Sequence, residues 1–127
     1  MLKEFRNDIY PRRLWVATSW EDVKDKFTAD YELKETENNL ATTYPRVRCK
    51  GNRRFGVLVV FNIGESEDDS VIVGTISHES LHAANAIFDE LDIEYSLAND
   101  EHAAYFVGWI ARCCWEVLQK EIYKDNK

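Results

Sequence analysis

The sequence has no apolar run long enough to cross a bilayer, no internal repeat, no low-complexity tract and no even set of cysteines. The first absence excludes a membrane-spanning helix. The three cysteines, Cys49, Cys113 and Cys114, include an adjacent pair and make a poor disulfide framework. The adjacent pair reads as reduced side chains on a helix, with Cys114 turned toward a core. Positive charge is in deficit: 16 Lys and Arg stand against 23 Asp and Glu, a net charge of −7. That balance argues against general affinity for nucleic acid or an anionic membrane. The opening segment MLKEFRNDIYPRR is charged and has no apolar stretch of the signal-peptide kind. A cytoplasm is therefore the expected compartment.

What is present suits one domain over residues 1–127: 45% hydrophobic and 13% aromatic residues, enough for a single modest core. Residues 14–18 (LWVAT) read as a short strand. Ser19 and Asp22 form an S-x-x-D capping pattern, and Val23 with Phe27 an i, i+4 apolar pair, which predicts a helix over about 20–29. Residues 30–41 read as a loop. Residues 42–50 read as a strand in which Pro45 marks an edge or a start. After the turn at Gly51-Asn52, residues 55–62 (FGVLVVFN) form the clearest strand, apolar enough to be buried on both faces. The two strands predict an antiparallel hairpin.

GESEDDS (64–70) reads as a loop ending in Asp68, Asp69 and Ser70, all suited to cap a helix that runs to about Leu91. A second long helix, capped by Ser96 or Asn99, runs to about 122 on a stripe from Ala103 to Ile122, and the tail KDNK is expected to fray. The fold class is α+β: a small antiparallel sheet packed against two long helices.

The first long helix carries His78-Glu79-Ser80-Leu81-His82, an H-E-x-x-H pentad. Residues four apart share a helix face, so two imidazoles can bind one zinc ion, and the adjacent glutamate can take a proton from a metal-bound water. A third ligand has to come from elsewhere. The next helix opens with Asn99-Asp100-Glu101-His102, where the helix N-terminus favours an ionised carboxylate. His102 is an alternative ligand or an oxyanion stabiliser.

H-E-x-x-H followed by a glutamate on a downstream helix resembles the gluzincins, a group of zincin metallopeptidases; here eighteen residues (83–100) separate His82 from Glu101. The stretch from His78 to Ile110 is also similar to small H-E-x-x-H proteins of phages and prophages of gut bacteria, whose second helix carries a glutamate and an A-Y-x-x-G-W run, here Ala104 to Trp109. The resemblance covers about residues 70–112. It implies a reduced zincin-like core at about 55–122. It makes His78, His82 and Glu101 the zinc ligands, Glu79 the general base, and a peptide or protein the substrate. Many gluzincins have an aspartate where this chain has Tyr105, whose phenol can still hydrogen-bond near a ligand. The metzincin pattern fails, since Asn85 and Phe88 stand where it needs glycine and histidine.

Two other functions remain open at this level. One is a non-catalytic zinc protein that keeps the site for structure or a partner. The other is a nucleic-acid-associated protein using the basic cluster Arg46, Arg48, Lys50, Arg53 and Arg54. Only Tyr44 and Phe55 lie near that cluster as stacking platforms, and a charge-guarded edge is its default reading.

Overall fold

The computed structural model describes residues 1–64 and 67–123. Glu65 and Ser66 of the expected loop, and the KDNK tail, lie outside the described residues. Five strands and two helices follow one another as β1 (Leu2–Arg6), β2 (Arg13–Ala17), β3 (Phe27–Ala29), β4 (Ala41–Cys49), β5 (Phe55–Phe61), α1 (Asp69–Glu90) and α2 (Glu101–Ile122). The class is α+β. The strands form one sheet in the order β1-β2-β5-β4-β3. No described helix is long and apolar enough to cross a membrane.

The sheet is mixed rather than antiparallel. β2 and β5 pair in parallel, while the other neighbours pair antiparallel. The reason is burial. Leu14 to Ala17 and Val57 to Phe61 are buried on both faces, and two such strands belong side by side at the sheet centre. Leu14, Val16, Val57, Val59 and Phe61 face the helices. Trp15, Ala17, Leu58 and Val60 face the other way, with Val23, Phe27 and Tyr44.

The expected helix at 20–29 is absent. Val23 and Lys24 donate to the Trp20 carbonyl in one turn, Asp25 (φ 63°) stops it, and Phe27 enters β3 opposite Cys49. Val23 and Phe27 do share a face, but it is the underside of the sheet, where Phe27 meets the Trp15 ring edge-on at 5.1 Å. Tertiary burial overrode a helical pattern only one turn long. Asp22 binds the Met1 ammonium group. β1 was not anticipated, because three of its five residues are charged.

The β4–β5 hairpin, α1 and α2 agree with expectation. Asp68 caps α1 and Asp100 caps α2, neither through its side chain. Ser96 and Asn99 instead close a tight turn on each other's backbone. α1 packs on β4 and β5, and α2 runs back along α1 over β2 and β1. Cys113 and Cys114 are buried in this core, and burial pushes both thiols up to about 12, so both stay protonated.

Phe88 is the joint of this assembly. It is 2% exposed, and its ring meets Tyr10 from the β1–β2 turn, Phe106 of α2, Tyr95 and His102. Phe88→Ala is expected to cost about 3–5 kcal/mol of stability, read from urea denaturation. A shift below about 1 kcal/mol would mean that the cluster repacks around the void.

Candidate metal centre

His78, Glu79 and His82 lie in the middle of α1, and the helix divides them between two environments. His78 (66% side-chain exposure) and His82 are on the solvent face. Glu79, 7% exposed, turns toward the sheet. Its Oε1 accepts a hydrogen bond from Thr43 Oγ1 of β4 at 2.7 Å. Its Oε2 lies 3.7 Å from His78 Nε2.

The imidazoles converge. Their rings are 4.7 Å apart between centroids, and the two Nε2 atoms are 3.2 Å apart. Zinc–nitrogen bonds of about 2.0–2.1 Å at a tetrahedral angle place two nitrogen ligands about 3.3 Å apart. The pair therefore already has the bite of a zinc ion. Its donor set, two imidazole nitrogens, also suits that metal.

Glu101 does not join them. It is the exposed first residue of α2. The following residue, His102, rests on Phe88 with ring centroids 5.7 Å apart. Phe88 is six residues beyond His82, on the order of 9 Å further along the helix axis. Among the described residues no group of three or more His, Cys, Asp or Glu side chains is gathered to hold a metal. His102 Nε2 lies 2.9 Å from the Glu94 carbonyl and ties the α1–α2 connection to α2. Tyr105 is 77% exposed.

Two residues near the pentad were not legible in the sequence. Thr43 holds the carboxylate of Glu79, and only the hairpin register brings it there. Tyr95 donates from its hydroxyl to Asn85 Oδ1 at 2.6 Å, one turn past His82.

β4 gives the site a free edge. β3 covers only Val47 to Cys49. Asn62 N–H donates to the Leu40 carbonyl at 2.7 Å, which sets the phase of the β4–β5 ladder. Hydrogen-bonded and non-bonded pairs alternate in such a ladder. Ala41, Thr43 and Pro45 therefore direct their backbone polar groups away from β5. The Pro45 carbonyl takes the Tyr31 hydroxyl, and proline has no N–H to lose at this edge. A bulge between Tyr44 and Val47, with Arg46 at φ 50°, ends the free stretch.

Three members of the basic cluster have partners within the chain. Arg46 pairs with Asp30, Arg54 with Glu4, and Arg48 donates to the Arg53 carbonyl.

No protein-family model matches the chain, and no curated protein or solved structure matches it significantly either.

Proposed function

We propose that the chain is a zinc-dependent hydrolase of peptide bonds, with His78 and His82 as metal ligands and Glu79 as the general base. The observation that carries this reading is the 3.2 Å separation of the two Nε2 atoms beside a buried carboxylate. A bound zinc would supply Lewis acidity and a water of lowered pKa. The chain's own residues supply the rest. Thr43 fixes one oxygen of Glu79 and leaves Oε2, on the histidine side, as the proton acceptor. The outward backbone groups of Ala41 and Thr43 can pair with an extended peptide and align it beside Glu79. A cytoplasmic setting accords with three free cysteines.

The test is metal binding before activity. Purified protein is expected to bind about one zinc per chain, and His82→Ala to weaken binding on the order of 100-fold or more. Glu101→Ala is expected to leave zinc affinity within about threefold, given its place at the far end of α1. Retention of zinc by His82→Ala would defeat the reading. Loss of zinc in Glu101→Ala would mean that the first turn of α2 closes on the pair and supplies the third ligand.

The absence of a gathered third ligand among the described residues favours one other reading, a zinc protein without catalysis. It has the same metal stoichiometry but no dependence of any hydrolysis on Glu79.

A further inference from the structure

A cleft of about 470 Å³ opens where the β1–β2 turn meets the start of β5. It borders the C-terminal end of α1, since its Arg12 pairs with Glu90. That is eight residues past His82, about 12 Å along the helix. Four arginines line it, Arg6, Arg12, Arg13 and Arg54, with one acidic residue, Asp8. This is a local excess of positive charge in a chain of net charge −7.

The arrangement has an electrostatic cost. Arg6 and Arg13 are direct partners across the β1–β2 ladder, and like charges in that relation destabilise a sheet. Internal acids relieve only part of it. Glu90 takes Arg12 in a two-point pair at 2.7 and 2.8 Å. Glu4 is shared by Arg54 at 2.6 Å and Arg13 at 3.5 Å. The Arg6 side chain is exposed and has no hydrogen bond or ion pair among the described residues.

The turn that shapes the cleft is fixed in advance. Asn7 Oδ1 accepts from the backbone N–H groups of Ile9 and Tyr10, both at 2.8 Å. The Tyr10 ring is anchored against Phe106 and Phe88, at 4.6 and 5.2 Å between centroids. A turn held in this way has little backbone entropy left to lose on binding an anion.

We propose that this cleft binds a small phosphate-bearing anion, of the size of a di- or triphosphate group, held by Arg6, Arg13 and Arg54. Planar guanidinium forks match phosphate oxygens two at a time, and the volume lies in the small-molecule range. The aromatic lining favours phosphate over a stacked base. Phe55 already carries the guanidiniums of Arg12 and Arg48 at 5.5 and 5.0 Å, and Tyr10 is committed to the core. This site is independent of the metal centre and stands or falls without it.

The test is calorimetric titration of the full chain with inorganic tripolyphosphate at about 0.1 M salt. Saturable binding is expected, weakened about tenfold or more by Arg6→Ala and again by Arg54→Ala. Arg6→Ala should not lower the urea midpoint, because the Arg6 side chain has no acid partner to lose and its charge opposes that of Arg13. Lys24→Ala, on the connection from β2 to β3, should bind as the wild type does. No saturable binding up to about 1 mM would overturn the proposal. So would equal weakening by Lys24→Ala, or tighter Arg6-dependent binding of a single-stranded oligonucleotide than of tripolyphosphate.

Discussion

Gly56→Ala is expected to cost about 3 kcal/mol or more, enough to leave much of a marginally stable domain unfolded. The reason is contact, not conformation. A Cβ at position 56 would sit 1.9 Å from the Arg13 carbonyl oxygen and 2.7 Å from Arg13 C and N. All three are backbone atoms of β2, so no side chain can swing aside. Arg13 and Gly56 are register partners in the parallel pair at the middle of the sheet. Relieving the clash means prising β2, with β1 behind it, away from β5. Gly74→Ala is the matched comparison. Nothing lies within 4 Å of its added Cβ, and its helical site should gain about 0.5–1 kcal/mol. Urea midpoints of the two variants should move in opposite directions. An unchanged midpoint for Gly56→Ala would show that β2 does not approach β5 this closely.

The second large effect is expected at Glu79. Glu79→Gln keeps the shape of the side chain, and the amide oxygen can still accept the Thr43 hydroxyl. Folding and zinc stoichiometry should therefore survive. The amide cannot take a proton, so cleavage of a quenched fluorescent peptide library should fall by about 10²–10⁴-fold. His78→Ala should abolish the same activity by losing the metal. Cleavage by Glu79→Gln at the wild-type rate would remove the catalytic role and leave the non-catalytic zinc reading. Thr43→Val separates positioning from chemistry: zinc is retained, and the rate drops by less than in Glu79→Gln.

How far the sequence carried the reading differs by element. Long periodic helices were legible because the stripe of α2 runs over the whole helix from Ala103 to Ile122, a signal that no single residue can spoil. β5 was legible from an unbroken apolar run. β1 was not, since an edge strand needs no apolar run and this one carries Lys3, Glu4 and Arg6. The pair Val23 and Phe27 misled because four-residue spacing also arises when a single turn precedes a strand.

At the site, the pairing of His78 with His82 is a property of one helix and could be read directly. The place of Glu101 depends on where α2 meets α1, which Phe88, Tyr10 and Phe106 decide together. No local pattern encodes that register. The same holds for the arginine-lined cleft, whose arginines come from β1, the turn after it, β2 and the end of the β4–β5 turn.

The parallel pairing of β2 with β5 also orders the events of folding. β4 and β5 are joined by a short turn and can meet at little entropic cost, whereas Arg13 and Gly56 are brought together only by closing the whole intervening chain. Contacts of that span slow folding in proportion to their share of the fold. During synthesis the first two strands therefore leave the ribosome with no central partner, and Leu14, Trp15 and Val16 lack their strand partners until β5 has followed. The charges of β1, which hid the strand from view in the sequence, then guard the outer edge of this waiting hairpin against pairing with another chain.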